Sequence, residues 1–215
     1  PAKVPNSSKA LLAQALKNKD YATAAFAYNN LLLEDTTNME YTDSLARIYI
    51  RSGNYEGGLR LGEKVMLKSP KNTKLLELIG VANEQTKHTD KSIENFKTLY
   101  SLTNDIVYLY KMSAIYFDNN KFEKADSLSD VLIEKADTSK KININLPDGS
   151  SQVVPMLAAC YNMKGAIAAE GKNNLQGAVA YFQKALKIAP EFSYPQLYLQ
   201  RIAQYVQQQQ QQQPR

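Results

Sequence analysis

The chain has 215 residues, of which 44% are hydrophobic and 22% are charged. This composition is that of an ordinary globular protein rather than a disordered or fibrous one. Lys and Arg exceed Asp and Glu by 26 to 21, and the resulting net charge of +5 is spread along the chain. Because no basic block is present, the sequence argues against nucleic-acid binding.

The cysteine content and the distribution of apolar residues exclude further classes of protein. Cys160 is the single cysteine, so an intrachain disulfide is impossible. No run of about 18 apolar residues occurs, and the sequence therefore predicts no transmembrane segment. The first residue is Pro1 rather than methionine, which fits a removed signal peptide or a trimmed chain. We therefore favour an exported, periplasmic bacterial protein over a cytoplasmic one.

The N-terminal segment 5–38 has the pattern of two short helices. Ser7 or Ser8 can cap a first helix whose apolar residues recur at helical spacing, and the polar run 17–20 predicts a turn. A second amphipathic helix is predicted from Tyr21 to Leu31. The same two-helix pattern returns in segment 39–72, where a Gly-Asn turn at Gly53 joins the helices.

Equivalent residues recur at a fixed interval in the first three segments. Two sets of residues each have a spacing of 34: Leu11, Leu45 and Ile79, and also Ala24, Gly58 and Ser92. Segment 39–72 contains the fullest version of the pattern: Leu45-Ala46, Tyr49, Gly53, Tyr55, Gly58, Val65 and Pro70. Chance rarely maintains a register at so many positions, and the pattern predicts a helical repeat.

The pattern resembles the tetratricopeptide repeat, a helix-turn-helix of about 34 residues with Trp-x2-Leu-Gly-x2-Tyr, then Ala-x3-Phe, then Pro. Its match is closest in the segment 178–190. The resemblance implies an all-α fold: a right-handed α-α superhelix of tetratricopeptide-type hairpins. We place the repeats, in one array within 1–206, at 5–38, 39–72, 73–105, 106–139 and 155–190.

One helix of the second repeat is unusual in composition. Gly57, Gly58 and Gly62 all lie in its second helix, and each costs about 1 kcal/mol relative to alanine. Gly62 also stands where other repeats have an aromatic residue, which leaves a hole unless a neighbour fills it. We predict that amide hydrogens exchange faster in this helix than in the other interior helices.

Between the fourth and fifth repeats, segment 140–154 changes from helical to strand periodicity. Ile142, Ile144 and Leu146 alternate with asparagines, and the turn sequence 147–149 follows. The pattern predicts a small β-hairpin insertion, with a disordered loop as the alternative.

The C-terminal region contains one more predicted helix and a polar tail. Pro195 opens a helix, predicted at 195–206, with Tyr198, Ile202 and Tyr205 on one face. A helix of this kind caps the apolar end of a repeat array. The glutamine-rich tail 207–215 predicts a fraying helix end or disorder.

The resemblance implies that the first helix of each repeat lines a concave groove that holds a protein or peptide segment. By spacing, that face runs from Asn6 in the first repeat to Ala169 in the fifth. The candidate binding residues on it are Asp43, Arg47, Arg51, Glu77, Glu84, Tyr110 and Phe117. Aromatic residues commonly anchor partner peptides. The alternatives are simple solvation of the charged residues on the third helix, Asp43, Arg47 and Arg51, and core packing of Tyr110 and Phe117 against the hairpin.

The chaperone-binding subclass of this family grips a terminal carboxylate with lysine, asparagine and arginine side chains. Lys9 and Lys74 stand at matching places, but Ala13, Ser44 and Leu78 stand where the asparagines and arginine belong. Two separated lysines cannot build the charge-assisted grip. We therefore expect no Hsp70 or Hsp90 carboxylate clamp.

No pattern of catalytic or cofactor-binding residues is evident. His88 is the single histidine and falls in a predicted turn, while Cys160 lies among small residues of a predicted core helix. One histidine and one cysteine cannot supply a zinc site of known spacing, and neither glycine-rich phosphate-binding motif occurs. Asp126 and Asp130 lie four apart on a helix and are predicted to be solvated. We expect neither enzyme activity nor a cofactor.

The sequence thus favours a non-enzymatic interaction scaffold that binds a protein or peptide segment in its groove. One alternative is a structural subunit of a bacterial cell-envelope assembly, docking through the convex face or the 140–154 hairpin. Glycan recognition through the tyrosines and an enzyme are less favoured.

Overall fold

The computed structural model describes residues 7–146 and 148–212. Within these residues the chain forms eleven α-helices and two β-strands. In chain order they are α1 (Ser7–Lys17), α2 (Tyr21–Glu34), α3 (Met39–Arg51), α4 (Tyr55–Lys68), α5 (Thr73–Gln85), α6 (Thr89–Thr103), α7 (Val107–Asp118), α8 (Phe122–Lys135), β1 (Lys141–Asn145), β2 (Ser151–Pro155), α9 (Met156–Ala166), α10 (Leu175–Ile188) and α11 (Ser193–Gln212). The predicted start of the first repeat at Pro5, the inner-face residue Asn6, the turn residue Pro147 and the tail residues 213–215 lie outside the described residues.

The chain consists of two compact units that divide between Asn104 and Asp105. Unit 1 contains three helical hairpins, α1–α2, α3–α4 and α5–α6, whose paired helices pack on each other. Unit 2 contains the hairpin α7–α8, the β-strands, the hairpin α9–α10 and α11. The all-α class, the tetratricopeptide-type hairpins and the β-hairpin insertion are therefore confirmed. The arrangement of all repeats in one array stays a prediction.

Short polar side chains start most of the helices in unit 1. The side chain of Asn38 accepts a hydrogen bond from the backbone N–H of Tyr41 at 3.0 Å, and that of Asn54 accepts one from Gly57 at 3.1 Å. Asp20 caps α2 in the same way. Each such bond satisfies one of the backbone donors that a helix N-terminus leaves open, so the local sequence sets where the helix begins.

The 34-residue register corresponds to equivalent positions in consecutive hairpins. Leu45 and Ile79 are buried in α3 and α5, the first helices of adjacent hairpins. Ser92 is buried in α6, and its hydroxyl donates to the carbonyl of Gly80 at 2.8 Å. Gly58 lies in α4 against the side chain of Ile50, where a Cβ atom would clash. Small residues are thus required where the two helices of a hairpin cross.

Gly62 leaves space where other repeats have an aromatic side chain, and Ile79 fills that space. A Cβ atom at Gly62 would lie 2.9 Å from Cδ1 of Ile79, so the third repeat fills the gap in the second. Beside this contact a cleft of about 290 Å³ remains between α4, α5 and α6. The faster amide exchange of α4 stays a prediction.

The insertion in unit 2 is an antiparallel hairpin of β1 and β2. Its register pairs Lys141 with Pro155 and Asn143 with Val153. At the turn, Asp148 accepts a hydrogen bond from the backbone N–H of Ser150 at 2.9 Å, and Gly149 has a φ of 83° that favours glycine. The hairpin therefore follows from local turn chemistry as well as strand alternation.

The one extra residue of the fifth repeat is accommodated at the end of its first helix. There α9 continues into a π-helical turn, Ile167–Gly171, which is a common way to absorb an inserted residue. The position differs slightly from the predicted turn at 171–174. Gly171 lies against the ring of Phe122, so a side chain at this position would clash with α8.

Helix α11 packs on the last hairpin, as predicted for a capping helix. Its Tyr198 stacks on Phe182 of α10 with 4.8 Å between ring centroids, and Ile202 packs against the same cluster. The helix is longer than predicted, because it begins at Ser193 and continues through the glutamine run to Gln212. Tyr205, predicted on the packed face, is exposed.

Candidate functional site

In unit 1, five of the seven candidate binding residues lie on two neighbouring first helices. Asp43, Arg47 and Arg51 follow one another at intervals of four on α3, which puts them on one face. Glu77 and Glu84 lie one heptad apart on α5, a helix that contacts α3 directly. Unit 1 therefore brings these five charged side chains onto adjacent helices.

Two of these residues form a network that joins α3 to the start of α5. Arg47 binds Asp43 in a bidentate pair, with Nε to Oδ2 at 2.8 Å and Nη2 to Oδ1 at 3.1 Å. Arg47 Nη2 also donates to Oδ1 of Asn72 at 3.0 Å, and Asn72 returns a bond to Asp43 at 3.1 Å. Asn72 meanwhile caps α5. The network positions α3 and α5, and its bonds leave Nη1 of Arg47 for a further acceptor.

Arg51 differs from Arg47 in its surroundings. It lies in the last turn of α3 and is exposed, so its guanidinium is accessible to a partner's carboxylate. Glu77 and Glu84 are half-buried on α5. This face thus offers positive charge at the end of α3 and negative charge along α5.

The cleft between α4, α5 and α6 is a second concavity in unit 1, and sequence reasoning did not anticipate it as a site. Its apolar lining residues are Met66, Leu76 and Ile79. Its edge includes Lys91 and Glu63, whose charged atoms are 3.9 Å apart and whose side chains are mostly exposed. Only the weak signal of a glycine at position 62 pointed to this space.

In unit 2, the two aromatic candidates have different environments. Tyr110 is only 8% exposed and lies in the core, which was the alternative to a partly exposed groove position. Burial raises the pKa of its hydroxyl above the ordinary value, with Cys160 of α9 and Tyr194 of α11 nearby. It is therefore not an accessible anchor. Phe117 is half-buried and lies in an edge-to-face arrangement with Phe122, with 5.6 Å between the ring centroids.

A buried lysine connects two helices of unit 2. Lys164 on α9, only 6% exposed, binds Asp126 at 2.6 Å and Asp130 at 2.7 Å, both on α8. Lys172 binds the other oxygen of Asp126 at 2.5 Å. The prediction that both aspartates are solvated is wrong for Asp126, whose side chain is 19% exposed and pairs with a buried ammonium, whereas the side chain of Asp130 is 63% exposed although it also binds Lys164.

A sequence signal for this network existed. Lys164 precedes Gly165 in the place where the repeat pattern has leucine, and the fourth repeat has the apolar Met112 there. A charge at a core position demands a partner. Asp126 and Asp130, on the preceding helix α8, could supply that partner.

Asn162 on α9 is the one buried side chain with an unsatisfied polar atom among residues 7–146 and 148–211. It is 8% exposed, and its Oδ1 atom has no hydrogen-bond partner. A buried acceptor of this kind ordinarily binds an ordered water. By spacing, Asn162 belongs to the predicted first-helix face, but its burial separates it from a solvent-accessible groove.

His88 and Cys160, the two residues considered for catalysis, lie in environments typical of structural residues. His88 lies at the start of α6, with Nδ1 3.0 Å from the hydroxyl of Thr86. Cys160 is fully buried. Within the described part of the chain, no three His, Cys, Asp or Glu side chains are grouped for a metal ion, and no helix is long and apolar enough to span a membrane.

Cys160 should be unreactive in the folded protein. Burial raises the pKa of its thiol to about 12, so almost no thiolate exists at neutral pH. We expect Ellman's reagent to modify this thiol at least about 100-fold faster in urea than in native buffer, since labelling requires the core to open. Rapid labelling of the native protein would contradict this packing.

Residues 158–192, which span α9 and α10, match the tetratricopeptide repeat family. The solved structure of MamA is similar with a TM-score of 0.65 and 19% identity, covering 86% of this chain and 91% of that one. The structure of YrrB, described as a TPR protein with an unusual peptide-binding site, has a TM-score of 0.65 and 15% identity over 88% of each chain.

A tetratricopeptide repeat protein from Parabacteroides merdae is also similar, with a TM-score of 0.52 and 16% identity over 89% of this chain and 68% of that one. No curated protein is significantly similar in sequence. The hairpins and their buried small residues define a helical repeat protein. Together with the family match of residues 158–192, they show that the chain has a tetratricopeptide-type repeat fold.

Proposed function

We propose that the protein is a non-enzymatic scaffold that binds a peptide or protein segment on the first-helix face of its repeats. The observation that supports this most is the exposed guanidinium of Arg51 beside a structured network at Asp43 and Arg47. YrrB, a TPR protein of similar fold, is described as having a peptide-binding site. Peptide binding is therefore compatible with this architecture.

The charges on this face suggest the chemistry of the bound segment. Arg51 and Nη1 of Arg47 can bind a carboxylate, while Glu77 and Glu84 on the next helix favour a basic side chain. A segment with an acidic residue near one end and a basic residue further along would complement both helices. In unit 2, Phe117 remains as a candidate apolar contact, whereas Tyr110 does not because it is buried.

Selection of peptides from a random library displayed on phage tests the proposal directly. We expect enriched peptides to bind the wild-type chain and to lose at least about tenfold in affinity on Arg51→Glu, which is about 1.4 kcal/mol. Arg51 is preferred over Arg47 for this test because Arg47 also holds α3 to α5. Replacing Arg47 would therefore mix binding with stability.

Arg60→Glu is the matched control. Arg60 is also an exposed arginine, but it lies on α4, a second helix. Its reversal changes the net charge by the same amount and should leave binding unchanged. No enrichment, or equal loss of affinity in the two variants, would refute binding on the first-helix face.

Docking into a larger assembly through the β-hairpin is a second candidate, favoured by Val153. This apolar side chain on β2 is 63% exposed. Deleting 140–154 would also remove Gln152, which accepts a bond from the backbone N–H of Ser193 at the start of α11 at 3.0 Å. Val153→Asp is the cleaner variant, and unchanged co-purification of partners would count against this role.

A further inference from the structure

We propose that β1 is a self-association edge, at which two copies of this chain pair their β1 strands antiparallel in a two-fold dimer centred on Asn143. This inference is independent of peptide binding on the first helices. It rests on the hydrogen-bond pattern of the hairpin, on the position of one proline and on the order of side chains along β1.

The hairpin's own hydrogen bonds determine which backbone groups point outward. The N–H of Leu146 donates to the carbonyl of Ser150 at 2.8 Å, and that of Met156 donates to Lys140 at 2.7 Å. Hydrogen-bonded pairs alternate with non-bonded pairs in an antiparallel ladder. In the register given above, Lys141, Asn143 and Asn145 therefore direct their N–H and C=O groups away from β2.

These outward groups form an unpaired edge. Within residues 7–146 and 148–212, none of the backbone hydrogen bonds that join separate elements involves Lys141, Asn143 or Asn145. The side chains of all three are exposed. An unpaired strand edge of this kind is a ready template for another strand.

The opposite edge of the hairpin is less suited to pairing. On β2 the outward positions are Ser151, Val153 and Pro155. Pro155 has no N–H to donate, and it would face Ser151 of another copy in a symmetric arrangement. The side chain of Gln152 is also engaged with the start of α11, where it accepts a bond from Ser193 at 3.0 Å. The β1 edge is therefore the competent one.

The sequence of β1 is complementary to itself in this register. With Asn143 opposite the second copy's Asn143, Lys141 faces Asn145, so no like charges oppose each other. Ile142 then lies beside the second copy's Ile144 on the more buried face of the hairpin. Polar residues meet polar ones and apolar residues meet apolar ones, and each outward pair can exchange two backbone hydrogen bonds. This fit selects a second copy as the occupant of the edge.

The length of the edge sets the strength of association. An interface based on one short strand is smaller than those of stable dimers. We therefore expect the monomer to convert to a dimer as the protein concentration is raised from about 1 μM to about 1 mM. Sedimentation velocity would detect the conversion as a doubling of mass. A chain that stays monomeric throughout this range would overturn the proposal.

Proline substitutions test the edge without disturbing the hairpin. Asn143→Pro removes an outward N–H but no bond to β2, and Pro155 already occupies an equivalent non-bonded position. Val153→Pro is the matched control, since Val153 is the residue directly opposite. We expect dimerisation to be lost in Asn143→Pro and retained in Val153→Pro, with equal thermal midpoints for both. Equal dimerisation in both variants would refute pairing through β1.

A cysteine crosslink tests the register. Residue 143 of the two copies would have Cα atoms about 5.5 Å apart, within disulfide range. Residue 145 would lie about 14 Å from its own counterpart. Asn143→Cys should form an oxidised dimer and Asn145→Cys should not. A different result would be a monomeric chain that co-purifies with another protein, with that association lost in Asn143→Pro. In that case the β1 edge binds the other protein and self-pairing is wrong.

Discussion

Replacing Phe182 by alanine is expected to lower the free energy of unfolding by about 3–5 kcal/mol. Phe182 is completely buried, stacks on Tyr198 of α11 and lies against Gly165 of α9. Its removal therefore opens a cavity where three helices of unit 2 meet. Urea denaturation followed by circular dichroism measures the loss.

Phe26→Ala is the matched control for this prediction. It removes the same atoms from α2, where Phe26 is 60% exposed, and should change stability by no more than about 0.5 kcal/mol. If the two variants were equally stable, Phe182 would not be the central contact between α10 and the capping helix.

Asp126→Asn is the second substitution with a large expected effect, a loss of about 3 kcal/mol at neutral pH. After this change, Asp130 is the remaining carboxylate in the network that binds the buried ammonium of Lys164. The side chain of Asp130 is 63% exposed. An uncompensated buried charge is costly because water cannot solvate it. Urea denaturation of the variant and the wild type gives the difference.

The difference in stability between Asp126→Asn and the wild type should disappear in acid. Burial alone would raise the pKa of Asp126, but hydrogen bonds from Lys164 and Lys172 outweigh it and lower that pKa. Asp126 therefore contributes stability above its unfolded-state pKa of about 3.9, and loses that contribution as the pH falls through the lowered native pKa. We expect a full difference at about pH 7 and a much smaller one at about pH 2.

Two further variants control for this interpretation. Asp130→Asn should cost less than about 1 kcal/mol, since its side chain is mostly exposed. Adding Lys164→Met to Asp126→Asn should restore most of the stability, because an apolar side chain then fills the core position without a charge. A double variant as unstable as Asp126→Asn alone would contradict the role of the buried ammonium.

The helices and the β-hairpin were predictable because short-range interactions specify them. Asn38 and Asn54 cap helices within three residues of themselves, and Gly149 meets the conformational demand of the turn. The ion pair of Asp43 with Arg47 spans one helical turn and is readable in the same way. Its bond to Asn72, which lies 25 residues beyond Arg47, is not.

The environments of the site residues were harder to anticipate. Tyr110 carries the same pattern as an exposed groove aromatic, yet it is only 8% exposed, with Cys160 of α9 and Tyr194 of α11 nearby. Arg47 and Arg51 have the same chemistry and lie on the same face, but only Arg47 is near Asn72. The difference depends on which segment packs beside each position.

Local periodicity and capping thus determine the helical hairpins, their register and the β-insertion, because each depends on residues a few positions apart. Packing between hairpins decides which charges remain accessible, how Lys164 is neutralised and how Ile79 replaces the side chain missing at Gly62. Those outcomes depend on contacts between residues far apart in the chain, such as Lys164 and Asp126. They become visible only when the helices are assembled.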